Sequence, residues 1–385
     1  MPTRGLLRPG LSAKDEGVTL ALASPTRPAT GSAQDRTTAL PPLGPAWFPA
    51  VMGTGILGTL LQTYADRLPW GHAPAVVALV VAWTLLVLLT GGFLLRIARD
   101  RDAFTATVRD VATVPMWGTV AMGLLAVGSS TATVVPATWP GLAGAAWVVD
   151  GVLWMIGTVV GVLTALGFAV RLVAEDCGRP TTVWGLALVG PMVSATTGAA
   201  LVPHLAGPVR IWLLLATVGC FFLSLVAGSI VFAVAYHHLW RVSPIALAAS
   251  PSAWIPLGMV GQSTAAAQSI ATQAQSLAAP GTAQVIQQAA QAYGFLMVGI
   301  GLPLVAWAVV VTVRGFLGRM PFSPGWWALT FPIGTLSLGA CLLGQGTGLG
   351  ILVGVGEFAT LVLCGTVTLC LVASVHGIAK RGLAA

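Results

Sequence analysis

PAVMGTG, residues 49–55, decides the fold, because the chain repeats its pattern four more times: a proline followed at once by glycines or other small residues. The other copies are PMWGTVAMG from Pro115, PMVSATTG from Pro191, PLGMVGQS from Pro256 and PIGTLSLG from Pro332. Successive prolines lie 66, 76, 65 and 76 residues apart, roughly the length of two membrane helices with their connections. Between each marked segment and the next runs a second apolar segment that is almost free of proline. The pattern predicts five copies of a helix hairpin, each with a kinked, glycine-rich first helix and an ordinary second one.

Composition sets the class. Of 385 residues, 56% are hydrophobic and 8% charged, against about 25% charged in a typical soluble domain. A hydrocarbon core of about 30 Å takes about 20 apolar residues per spanning helix. Ten segments meet that requirement: 46–64, 74–95, 111–135, 142–170, 183–202, 211–236, 253–278, 293–313, 325–345 and 350–375. Backbone polar groups cannot go unpaired in lipid, so runs of this length are helical. The alternating ten-residue pattern of a membrane β-barrel is absent. The predicted fold is an all-α polytopic membrane protein of ten transmembrane helices. They form five hairpins in a pseudo-fivefold arrangement, the odd helices lining a central pore and the even ones outside. Segment 253–278 turns polar after Gln262.

Three regions follow. Residues 1–41, rich in Pro, Thr, Ala, Ser and Gly without a periodic apolar face, read as a disordered cytoplasmic tail with no signal-peptide pattern. Residues 42–378 form the ten-helix pore domain, and 379–385 a short cytoplasmic tail.

The net charge of +7 does not point to nucleic acid, because of how it is distributed. With the N-terminus inside, the inner connections hold eleven basic residues: Arg96, Arg99, Arg101, Arg109, Arg171, Arg179, Arg241, Arg314, Arg319, Lys380 and Arg381. The outer connections hold two, Arg67 and Arg210, and the tail the other five. The positive-inside rule then places both termini in the cytoplasm of a multi-pass protein of the cell membrane. Arg96, Arg99 and Arg101 would also concentrate anions at the inner mouth. The five cysteines, Cys177, Cys220, Cys341, Cys364 and Cys370, form no CxxC pair and suggest neither a disulfide framework nor a zinc site.

Pro49, Pro115, Pro191, Pro256 and Pro332 read as kinks that shape the width of a pore. The same segments carry neutral polar groups suited to a wet lumen: Thr54, Thr119, Ser194, Thr196, Thr197, Gln262, Ser263, Thr330 and Thr335. The odd segments contain no Lys, Arg, Asp, Glu or His. The acids inside spans are Asp150 and Glu357, both on even segments, where a carboxylate is expensive and needs a partner or water. His72, His204, His237, His238 and His376 lie at span ends or connections and read as solvated rather than metal-bound.

The ninth segment reads PFSPGWWALTFPIGTLSLG, residues 321–339, and the first WFPAVMGTGIL, residues 47–57. With VGPMVSATTG and WIPLGMVGQS, these resemble the tellurite-resistance/dicarboxylate transporter family. That family includes bacterial tellurite-resistance proteins, fungal malate permeases and sulfite pumps, and plant slow anion channels. The resemblance spans about residues 44–378, and its most specific element is WWxxTFPxG. It implies ten helices as five hairpins, in a homotrimer with one pore per subunit. It also implies a pore-plugging phenylalanine on the ninth helix, which falls by motif position on Phe331. The chain departs from the plant members in lacking a recognisable long phosphorylatable tail.

The leading expectation is passage of small anions through the pore: C4-dicarboxylates such as malate, sulfite, or inorganic anions. The alternative is a proton-coupled secondary transporter of organic or sulfur oxyanions, using Asp150 or Glu357 as the proton site. No HExxH, GxSxG, P-loop or paired-acid motif argues for an enzyme, and no cofactor is implied.

Overall fold

A computed structural model describes residues 39–383. Among these residues eleven α-helices carry the fold: α1 (Pro49–Thr63), α2 (His72–Arg99), α3 (Asp102–Arg109), α4 (Met116–Thr138), α5 (Ala143–Ala174), α6 (Leu186–Leu201), α7 (Val209–Arg241), α8 (Ile255–Ala274), α9 (Pro280–Leu317), α10 (Phe331–Thr347) and α11 (Gly350–Arg381). Eight helical segments among the described residues are long and apolar enough to cross a membrane. Of the ten predicted spans, 46–64 and 253–278 fall outside this set. The first shortens to the 15 residues of α1, about 22 Å at 1.5 Å per residue. The second, α8, carries Gln262, Gln268 and Gln273. Both are mostly buried against other helices, so neither has to satisfy the length and apolarity that lipid demands.

The helices fall into two sets by burial. The helices of the proline-marked segments, α1, α4, α6, α8 and α10, are enclosed; α6 buries all but two of its 16 residues. The helices α2, α5, α7, α9 and α11 bury one stripe each. In α9 that stripe is Ala283, Ala290, Gly294, Gly301, Ala308, Thr312 and Gly315, seven of 38 residues. Small side chains at this spacing let a helix backbone approach its neighbours closely. The other faces expose Val77 and Leu88 on α2, Leu163 on α5, Leu302 on α9 and Phe358 on α11, as a lipid-facing surface does. The enclosed helices touch in order: α1 packs on α4, α4 on α6, α6 on α8, α8 on α10, and α10 again on α1. Each is also packed by the long helix that follows it, α2, α5, α7, α9 and α11 in turn.

The prolines act differently from the expectation. Pro49, Pro256 and Pro332 occupy the first or second position of their helices, and Pro115 is the residue capping α4. Only Pro191 of the five lies inside its helix, α6. The chain reaches α1, α6, α8 and α10 through tight 3-10 turns at Pro45–Trp47, Thr182–Gly185, Leu247–Trp254 and Pro324–Leu329. At a helix start the proline forfeits no hydrogen bond, because the first N–H groups have no intrahelical partner. Four of the five prolines therefore mark where a 3-10 or turn segment becomes an α-helix, not a bend within one.

Most of the predicted 1–41 tail lies outside the described residues. Its last residues are packed: Leu40 is buried, its N–H donates to the Gly382 carbonyl at 3.1 Å, and Trp47 Nε1 donates to the Pro41 carbonyl at 3.0 Å. At the other end α11 runs on to Arg381, which donates to the Phe322 carbonyl at 2.7 Å. The packed body therefore reaches past both predicted boundaries.

Candidate functional site

Two cavities lie among the enclosed helices. The first, about 270 Å³, takes one stripe from each of the five. These are Ile56, Thr59 and Thr63 of α1; Ala126, Ser129 and Thr133 of α4; Val193, Thr196, Thr197 and Ala200 of α6; Gln262 and Ser269 of α8; and Phe331, Leu338 and Leu342 of α10. Offsets of three, four and seven put each set on one helix face. The second cavity, about 260 Å³, is bordered by residues near the N-terminal ends of the same helices: Pro49, Met52, Met116, Leu186 and Ile255, with Ala328 from the turn before α10. No residue lines both. On α1 the change from one to the other occurs between Met52 and Ile56, about 6 Å of helix rise. On the ninth segment it occurs between Ala328 and Phe331. Phe331 is the first residue of α10 and 2% exposed. It stands at the division between the cavities, on the side of the larger one.

The first cavity is uncharged and mostly apolar, with a few hydroxyls and one amide on its walls. Thr63, Thr133 and Thr197 each donate to the carbonyl four residues back, at 2.8, 2.7 and 2.9 Å. These bonds satisfy the hydroxyl protons inside the helix and leave oxygen lone pairs over. Gln262 Nε2 donates to Thr196 Oγ1 at 2.8 Å, while Gln262 Oε1 is buried without a partner.

Of the nine residues the sequence put forward for a lumen, three, Thr196, Thr197 and Gln262, border this cavity. The others are turned elsewhere. Thr54 donates to the Ala50 carbonyl, Ser263 to that of Val260, and Thr335 to that of Pro332. Thr119 ties the start of α4 to the Pro45 carbonyl at 3.0 Å. Thr330 donates to the Trp327 carbonyl at 2.7 Å and lies against Gly53. Ser194 is buried where its carbonyl accepts from Trp154 Nε1 of α5 at 2.9 Å. Sequence reasoning missed Thr59, Thr63, Ser129, Thr133 and Ser269. Their signal is the repeat with Ile56 on α1 and with Ala126 on α4, at offsets of three and seven.

The two acids differ. Glu357 pairs with Arg67 at 2.8 Å, an arginine more than half exposed in the connection after α1. Arg67 is thus the partner that the sequence reading required of an acid at this position. Asp150 is 1% exposed, abuts Gly128 on α4, and leaves Oδ1 without a hydrogen-bond partner. It lies behind α4, whose next residue, Ser129, borders the first cavity. Among the basic residues, Arg96 is half-buried and donates to the Leu43 carbonyl at 3.2 Å. Arg96 therefore ties the end of α2 to the segment leading into α1, while Arg99 and Arg101 are exposed.

The family model of voltage-dependent anion channels (SLAC1) matches residues 42–375, nearly the whole described chain. The chain belongs to the voltage-dependent anion channel family. It is 25% identical over 312 residues to a sulfite efflux pump, SSU1, of Trichophyton rubrum, covering 78% of this chain and 81% of that protein. The sulfite efflux pump SSU1 of Arthroderma benhamiae matches to the same extent. A transporter of Methanocaldococcus jannaschii is 24% identical over 302 residues, covering 75% of this chain and 80% of that protein. The resemblance carried by the WWxxTFPxG segment and the match to the anion-channel family agree. A membrane transporter of this family accounts for the neutral cavities and the exposed apolar faces together.

Proposed function

We propose that the chain carries small anions across the cell membrane through a path enclosed by α1, α4, α6, α8 and α10, closed at rest by Phe331. On this reading the five enclosed helices and the five that follow them form five hairpins across the bilayer in a pseudo-fivefold ring, both termini are cytoplasmic, and three copies assemble with one path each. The observation that carries it is the pair of cavities, each bordered by all five proline-marked segments, with Phe331 on the wall of one and Ala328 on that of the other. An uncharged lumen with few polar groups binds an anion weakly enough to release it, and an apolar ring across the path excludes hydrated ions by volume and by dewetting. The relatives that are sulfite efflux pumps support sulfite as a candidate; malate and inorganic anions remain within the same class. Reconstitution into liposomes tests the reading through currents and reversal potentials with chloride, nitrate, sulfite and malate. Anion-selective reversal potentials are expected; a protein that folds and inserts but carries none of these anions would overturn it.

One observation favours a second reading, proton-coupled export. Asp150 is a buried carboxyl without a partner for Oδ1, directly behind the cavity-bordering face of α4. An intramembrane acid of that kind suits a proton relay. Flux that follows an imposed pH gradient and is uncoupled by Asp150→Asn would favour it over passive conduction.

A further inference from the structure

An anion path through the first cavity, the one bordered by Gln262, poses a chemical requirement that its lining meets. An anion needs hydrogen-bond donors, and three of the seven lining hydroxyls have already spent their protons on short bonds, while Ser129 and Ser269 keep theirs. Thr63, Thr133 and Thr197 donate to carbonyls of their own helices, so towards an anion they offer only lone pairs. Gln262 is different. It is 2% exposed, borders the cavity, and has one amide end held by Thr196 Oγ1 at 2.8 Å and the other, Oε1, buried without a partner. An unpaired buried acceptor is costly, and the two ends of a side-chain amide have nearly the same shape. Turned over, the amide is left with an unmet donor in place of an unmet acceptor, a cost that an anion in the cavity relieves. Thr196 has only long alternatives for its proton, 3.4 and 3.5 Å to the carbonyls of Met192 and Gln262. It can instead donate to the Gln262 oxygen. The NH₂ group then replaces the orphaned oxygen and presents donors that no protein group takes.

We propose that Gln262 in this orientation is the anion-coordinating residue of the cavity, taking an oxygen of a small oxyanion such as sulfite or nitrate, with Thr196 as its positioning residue. The inference rests on the proposed anion path. A neutral amide is the fitting donor for passage, because a bond from an uncharged group holds the ion without trapping it. At about 270 Å³ the cavity far exceeds the roughly 10–15 Å³ that one water requires, so the ion enters with part of its hydration.

Sulfite flux into liposomes, measured against concentration, tests the assignment. Gln262→Leu should raise the half-saturating sulfite concentration about tenfold, as loss of one hydrogen bond to a charge does, and change maximal flux less. Gln262→Glu keeps the shape but offers an acceptor and a negative charge; its sulfite flux should fall at least about tenfold. Thr196→Val should shift half-saturation in the same direction as Gln262→Leu, and Thr196→Ser should restore it. Sulfite should also raise the unfolding temperature of the detergent-solubilised protein, and lose that effect in Gln262→Leu. Should Gln262→Leu fail to fold, Gln262→Glu and the Thr196 pair decide the matter. A wild-type protein that conducts sulfite, with half-saturation and flux in the Gln262 variants within about twofold of its own, overturns the role of Gln262 alone. A wild type that carries chloride or malate but is neither permeated nor stabilised by sulfite or nitrate overturns the Gln262 site, and one that carries none of the four overturns the underlying anion path as well.

Discussion

Gly261 of α8 and Gly339 of α10 pack backbone against backbone: a Cβ on Gly339 would lie 2.6 Å from the Gly261 carbonyl oxygen. A Cβ on Gly261 would in turn meet the backbone of Thr335 and Leu336. This contact sets the spacing of two enclosed helices next to Gln262. Backbone cannot turn aside as a flexible side chain can, so Gly261→Ala and Gly339→Ala should each push the helices apart. Each should destabilise the protein by about 1–3 kcal/mol, the usual cost of overpacking, and alter conduction. Gly365→Ala on α11, where a Cβ meets nothing within 4 Å, is the control. Thermal unfolding in detergent should separate the first two from the third; equal melting of all three would show that the close approach is not needed.

Phe331→Ala should raise anion conductance severalfold while keeping the order of anion preference, with Phe331→Leu between it and the wild type. The ring starts α10 at the division between the cavities, and Pro332 still begins the helix without it. Were Phe331 only a packing residue, truncation would cost roughly 3–5 kcal/mol and the variant would express poorly. Single-channel or bulk current at matched expression distinguishes the two, and an unchanged or smaller current removes Phe331 from the role of gate.

Arg99→Gln with Arg101→Gln should lower outward anion flux at low ionic strength. The deficit should shrink near about 0.15 M salt, where the screening length is about 8 Å. Arg96→Gln should behave differently, because it breaks the bond to the Leu43 carbonyl. Its deficit should persist at high salt and come with a lower unfolding temperature. A salt-independent deficit in the Arg99 and Arg101 variant would mean that these residues act in insertion rather than in attracting anions.

Reporter fusions after Ala385 and within residues 275–279 should report opposite sides of the membrane. The motive is the eleven-to-two division of basic residues between alternate connections. The site is confined to 275–279 because α9 begins at Pro280, so a fusion further on would interrupt a helix. The same side at both positions would sink the ten-span topology.

Asp150→Asn should leave passive anion flux unchanged between mildly acidic and neutral pH if conduction is uncoupled. Gly128 packs against the Asp150 side chain, and asparagine fits the same space without a charge. A transport rate that depends on pH in the wild type and ceases to do so in the variant would assign Asp150 a proton-carrying role.

Much of this was legible before any fold was known. Low charge and long apolar runs reflect lipid as the solvent, so they marked α2, α5, α7, α9 and α11 directly. The proline-glycine repeat singled out the five helices that turn out to be enclosed, because close packing around them requires small residues. The position of each proline within its helix was not legible. A proline is compatible with a helix start as well as with a helix interior, and the choice depends on the 3-10 turns before α1, α6, α8 and α10. Nor could the chain alone say which hydroxyls border a cavity. A surface helix records its facing in the contrast between polar and apolar sides. A helix such as α6, surrounded by protein throughout, has no such contrast to record. Thr196 and Thr197 therefore look no different in sequence from Ser194, whose carbonyl meets Trp154 of α5, and only the rotation at which α6 packs between α4 and α8 separates them.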